Sequence, residues 1–118
     1  RIAAVSPGEL AALGVTPGRA RTLVGLAAAV ASDAISLEPG SDVDATLDAL
    51  TALPGIGTWT ANYVAMRALR WPDAFLANDL VVLKALGETR PAHALRSSES
   101  WRPWRSYAVM HLWRNASC

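Results

Sequence analysis

Leu53-Pro54-Gly55-Ile56-Gly57-Thr58-Trp59-Thr60-Ala61-Asn62-Tyr63 decides how this chain is read. Upstream, Val43, Leu47 and Leu50 recur at helical spacing behind a Ser41/Asp42 cap, and the pattern stops at Pro54. Downstream, Trp59, Tyr63, Val64, Met66 and Arg67 follow from Thr58 and predict a helix reaching about Arg70, ended by Pro72. Between the two helices lies a Pro-Gly-Ile-Gly turn. Gly55 and Gly57 can take positive φ and carry no Cβ, so an anion can approach their backbone. The N-terminus of the next helix presents unpaired N–H groups that suit a phosphate oxygen. Ile56 should point inward and fix the turn. A tight corner that uses glycine for sterics alone gives the same two glycines.

The rest of the chain is punctuated as helices. Ser6-Pro7-Gly8-Glu9 predicts a capped short helix ending before Gly14, and Thr16-Pro17 starts a second one carrying Leu23, Leu26, Ala27 and Val30 toward Ser32. Asn78 or Asp79 can cap a helix over Leu80 to Leu86 closed by Gly87. Thr89 and Pro91 suggest another, and Pro103 opens a last one from about Trp104 to Arg114. No period-two alternation, repeat or linker interrupts this series, so the expectation is one all-α domain over residues 1–118, truncated at its N-terminus.

With 118 residues, 52% hydrophobic and 18% charged, the chain can bury a core. No apolar run approaches the roughly 20 residues of a membrane span. Absence of an initiator Met and of a leader reads as a piece cut from a longer chain. Cys118 is the one cysteine, which rules out an internal disulfide framework and fits a cytoplasmic, reducing setting. His93 and His111, with no cysteine near either, predict no zinc site. The net charge is only +1, so any nucleic acid must be held by local geometry and not by a basic field.

Leu-Pro-Gly-Ile-Gly followed by Thr60-Ala61 in a helix start resembles the hairpin of the helix–hairpin–helix DNA glycosylase superfamily. The C-terminal stretch Trp101-Arg102-Pro103-Trp104-Arg105-Ser106-Tyr107-Ala108-Val109-Met110-His111-Leu112-Trp113 is similar to the end of its alkylation-inducible branch, DNA-3-methyladenine glycosylase II. The resemblance as a whole covers most of the chain, from about Pro7 to Trp113. The resemblance implies that the amides of Gly55, Gly57 and Thr60 hold a phosphate of double-stranded DNA. It implies that the carbonyls of Thr51, Leu53 and Gly55 hold a monovalent cation, sodium or potassium, beside it.

On the same resemblance Asp79 is the catalytic carboxylate. An aspartate at a helix start is ordinarily only a cap, but capping and catalysis are compatible, because N–H groups keep the carboxylate ionised. A fixed negative charge is what a glycosidic bond needs when it breaks through an oxocarbenium-like transition state. Asn78 stands where relatives often have a second Asp. Superfamily members that also nick the strand carry a lysine where this chain has Trp59, so no Schiff base is expected and water is the nucleophile. No cofactor is expected for catalysis. The cysteine cluster of the endonuclease III branch is also missing.

Trp59, Tyr63 and Trp113 are the implied base pocket, with Met66 a turn beyond Tyr63; core packing is the plainer reading of such spacing. A purine alkylated at N3 or N7 is cationic, and electron-rich rings suit it. Trp101 and Trp104 read as packing residues. His111 reads as structural and His93 as exposed, while Arg67, Lys84, Arg102 and Arg105 could each touch a phosphate or simply face solvent. The implied activity is monofunctional excision of alkylated purines by base flipping in a bacterial, nucleoid-associated repair enzyme, expected as a monomer. The family's N-terminal β-rich domain, first helices and apolar wedge would lie upstream, and in some bacteria a methyl-accepting regulatory module precedes such a domain. A non-catalytic module gripping duplex DNA nonspecifically makes no use of Asp79 or Trp113, and a helical scaffold with no DNA role makes no use of the turn.

Overall fold

The computed structural model describes residues 2–116, so Cys118 lies outside the described residues. Every regular element among them is helical, with no strand, and none of these helices is long and apolar enough to cross a membrane. The chain divides into two compact units, Arg1–Gly57 and Thr58–Cys118.

In the first unit a 3-10 turn (Ile2–Ala4) precedes α1 (Pro7–Ala11), α2 (Pro17–Ala31) and α3 (Val43–Thr51). The starts follow the sequence closely. Ser6, Thr16 and Asp42 each accept a backbone N–H three residues on, and proline occupies the first position of α1 and α2. Glu9 completes the α1 cap differently from the expected box: its carboxylate accepts from the Ser6 hydroxyl. Gly14 turns the chain at φ +100°. α2 packs on the 3-10 turn and α1, but its expected apolar stripe is not all inward. Leu23 and Val30 are exposed, and Ala20 is the one α2 residue fully buried, because this Ala- and Gly-rich helix packs through its smallest side chains. α3 buries Leu50 and Thr46, and Ile56 after it is buried as expected.

The second unit holds α4 (Thr58–Arg67), α5 (Leu80–Leu86), α6 (Pro91–Ser97), a 3-10 turn (Ser98–Trp101) and α7 (Arg105–Ala116). α4 ends at Arg67, short of the expected Arg70. Arg70 adopts a left-handed φ of +56°, and the Trp71 N–H reaches back to the Ala65 carbonyl at 3.0 Å, closing the helix before Pro72. α5 has the anticipated bounds. Gly87 at φ +67° and N–H groups from Gly87 to Lys84 and from Glu88 to Leu83 form a Schellman end. α6 starts behind Arg90 and not Thr89, with proline at its first position and no side-chain cap.

α5 and α7 pack together over a core of Met66, Ala74, Phe75, Leu76, Val82, Leu83, Ala94 and Val109. Beside it lies a buried polar corner that the sequence did not flag. Asp73 receives Arg105 Nε–H at 2.8 Å and Arg102 Nη1–H at 2.9 Å, and the Arg105 guanidinium also reaches the Asp73 carbonyl. Ser106 ties the same segment by accepting from Ala74 N–H and donating to the Trp71 carbonyl at 2.7 Å. Arg105 is therefore no phosphate contact: at 4% exposure it is spent inside the fold. Of the two tryptophans read as packing, Trp101 meets Phe75 edge-on, whereas Trp104 is 59% exposed and touches Tyr107, because α7 begins one residue after it and leaves it outside the core-facing stripe.

A candidate active site around Asp79

Asp79 caps α5, and its half-buried carboxylate collects donors from three elements of the second unit. Oδ2 accepts the Val82 N–H at 2.9 Å and the Trp113 indole N–H at 3.0 Å, while Oδ1 accepts the Trp59 indole N–H at 2.9 Å. Burial by itself would raise the pKa of this carboxyl. The hydrogen bonds from Trp113, Val82 N–H, Trp59 and Val81 N–H outweigh it and hold the group below its ordinary value. All four donors are neutral, so they stabilise the charge without cancelling it.

The two tryptophans arrive from opposite ends of the unit's sequence. Trp59 stands in the first turn of α4 and Trp113 near the end of α7, and both lean on the hydrophobic core. Tyr63, one turn after Trp59 on the same helix face, stacks on it with centroids 5.1 Å apart and planes 13° from parallel. Trp113 meets Tyr63 at 6.2 Å with a tilt of 51°. The sequence placed Met66 next along this face. Met66 is instead buried in the core, and Arg67 continues the stack with its guanidinium 5.6 Å from the Tyr63 ring centroid. Arg67 Nη1 also lies 3.9 Å from Met110 Sδ. Asp79, Trp59, Tyr63 and Trp113 are thus brought together. The donated edges of both indoles and the Arg67 layer were not visible in the spacing, although a tryptophan at i and an arginine at i+8 on one face was a signal for the latter.

The turn residues lie in the first unit, with Thr60 in the first turn of α4. The two glycines have different reasons to be glycine. Gly55 sits at φ +91°, and a Cβ built there would overlap Thr22 Oγ1, which donates to the Pro54 carbonyl at 3.0 Å and the Gly18 carbonyl at 3.1 Å. Sterics inside the unit account for Gly55. Gly57 has no positive φ, and a Cβ there would meet nothing within 4 Å. Among the described residues nothing requires a bare backbone at Gly57. Leu53 offers its carbonyl to the Ile56 N–H at 3.2 Å, and the Thr51 hydroxyl turns back to the Leu47 and Asp48 carbonyls. The Leu53 carbonyl is therefore already engaged within the turn.

The remaining candidates fall outside this site. Arg102 pairs with Asp73 and Glu99; Lys84 is exposed; His93 is half-exposed, 3.5 Å from Glu88; His111 is exposed beside Asn115. Among the described residues no group of three His, Cys, Asp or Glu could hold a metal ion.

The chain is 40% identical over 113 residues to DNA-3-methyladenine glycosylase 2 of Escherichia coli (strain K12), a match covering 96% of this chain and 40% of that protein. It is 44% identical over 117 residues to a probable bifunctional transcriptional activator/DNA repair enzyme AlkA of Mycobacterium tuberculosis (strain CDC 1551 / Oshkosh), covering 96% of this chain and 23% of the relative. The chain is thus similar to part of proteins that carry the DNA-3-methyladenine glycosylase name. A DNA-3-methyladenine glycosylase of Bacillus subtilis (strain 168) is 36% identical over 124 residues, matching 97% of this chain and 41% of its own length. The chain spans less than half of each of these relatives. No protein-family model matches it. The matches take in the turn, Asp79 and the two site tryptophans, since they cover nearly all of the chain.

Proposed function

We propose that the protein is a monofunctional DNA glycosylase that removes purines alkylated at N3 or N7, such as 3-methyladenine and 7-methylguanine, from duplex DNA. The observation that carries this reading is the Asp79 carboxylate, ionised and held only by neutral donors, two of which are the indoles of the aromatic cluster. The nucleotide is flipped from the helix and its base set against the Trp59, Tyr63 and Trp113 cluster. The bond between C1′ and the base nitrogen then breaks, its electron pair leaving with the base. A cationic alkylated purine departs neutral and needs no added proton. Positive charge grows on C1′ and the ring oxygen, where Asp79 stabilises it, and water adds to C1′ and gives its proton to solvent.

Trp59 offers no amine, so no covalent link to C1′ forms and the strand stays intact. DNA is gripped through backbone N–H groups of Gly55, Gly57 and Thr60, and the open space over Gly57 supports a phosphate there. A sodium or potassium ion on the Thr51, Leu53 and Gly55 carbonyls would add positive charge beside that phosphate. The test is incubation of the full-length protein with methylated duplex DNA, scoring released bases and strand breaks separately. Release of both methylated purines without nicking supports the proposal. DNA binding without release means the hairpin is a nonspecific grip and the catalytic reading is wrong.

A further inference from the structure

The Tyr63 ring already has a cation over it. Trp59 lies one helical turn before Tyr63 and Arg67 one turn after it, and both contact the phenol ring, at 5.1 Å and 5.6 Å from its centroid. Trp59 stacks at 5.1 Å, too close to admit a base between the two rings, which need about 3.5 Å from each surface for contact. Arg67 is further held by Met110, and the same Tyr63 ring meets Trp113. Tyr63 therefore shares its electron-rich face with the exposed Arg67 guanidinium, and a base placed against this cluster meets that positive charge beside it.

Resting on the glycosylase reading, we infer that Arg67 is a specificity-determining residue that weighs against cationic bases and leaves neutral ones unaffected. A cationic base gains less from Tyr63, whose quadrupole is already engaged, and meets a like charge beyond it; a neutral base loses neither. Arg67 thus counterbalances Asp79. The carboxylate favours positive charge developing on the sugar, whereas the guanidinium restrains a site that would otherwise select purely for positive bases. Broad acceptance follows from this balance, because a weakly bound cation that leaves readily and a neutral base that leaves slowly become more nearly equal substrates.

The experiment compares kcat/KM of the full-length protein for duplexes carrying 7-methylguanine, a cation, and hypoxanthine, a neutral purine, with Arg67→Met and Arg67→Lys. Methionine keeps the aliphatic contact and removes the charge; lysine keeps the charge. The cation-to-neutral ratio should rise about 3-fold to 10-fold in Arg67→Met and stay within about 2-fold of wild type in Arg67→Lys. An equal change for both bases in Arg67→Met overturns the inference, and if that loss deepens with salt it identifies Arg67 as a phosphate contact. Release of neither base by the wild-type protein overturns the glycosylase reading, and the inference with it.

Discussion

Asp73 and Asp79 lie in the same connection between α4 and α5, and both carboxyls are held below the ordinary aspartate pKa, yet their surroundings are opposites. Burial would raise Asp73; the Arg105 side chain and N–H, and the charges of Arg105 and Arg102, more than reverse it. Its charge is spent on two guanidiniums in a buried corner. Asp79 reaches the same ionised state through indole and amide N–H groups, and its charge remains available. A depressed pKa alone does not mark a reactive group. What separates them is whether the stabilising partners are charged, since only neutral donors leave a field for a developing cation to feel.

The largest effect that would sharpen this contrast is on stability. Asp73→Ala leaves Arg105 buried without its partner and should destabilise the fold by about 3–5 kcal/mol, whereas Asp79→Ala removes a helix cap worth about 1 kcal/mol. Urea denaturation of the two variants reads the difference; similar losses would erase it.

Next come the donors of Asp79. Hydrogen bonds to a charged group contribute about 1.5–3 kcal/mol, so Trp59→Phe or Trp113→Phe should slow base release by about 10-fold or more. Each should also move the acid limb of the pH profile upward. Asp79 has a folded pKa below its unfolded value, so the stability it contributes is complete above the unfolded value and is lost as pH falls through the folded one. Wild-type release should accordingly stay level from neutral pH down past the ordinary carboxylate range. An inflection in the phenylalanine variants no higher than in wild type would break the account of how the charge is held.

The hairpin repeats the contrast between serving the fold and facing outward. Gly55→Ala must strain a φ of +91° and overlap Thr22, and should cost about 1–3 kcal/mol of stability. Gly57→Ala meets open space and should leave melting unchanged while weakening DNA binding several-fold, as measured by titration at fixed salt. The smallest expected effect is at Thr22, whose hydroxyl holds the Pro54 carbonyl. Thr22→Val should cost about 1 kcal/mol and Thr22→Ser almost nothing, read by thermal melting.

Helix starts were legible in the sequence because their signals are local: Ser6, Thr16, Asp42 and Asp79 each cap within their own turn. Gly87 closed α5 for the same reason. The end of α4 was not legible, since a left-handed Arg70 has no sequence mark comparable to glycine. In the site, Asp79 and the aromatic positions could be named, but not that both indoles aim their N–H groups at one carboxylate, which depends on how α4 and α7 pack on a shared core. The pairing of Asp73 with Arg105, which the sequence offers as a phosphate contact or a solvated residue, was not legible because it joins residues far apart in sequence. The two glycines were identical as letters and differ only in φ and in what stands nearby.

The most direct measurement is single-turnover release of methylated purines by full-length Asp79→Asn and Asp73→Asn proteins beside wild type, with melting temperatures recorded for each. Asp79→Asn should fall at least about 100-fold in rate with little change in melting, and Asp73→Asn should melt lower while its folded fraction keeps the wild-type rate. Near wild-type release by Asp79→Asn would contradict the claim that this carboxylate stabilises the sugar cation.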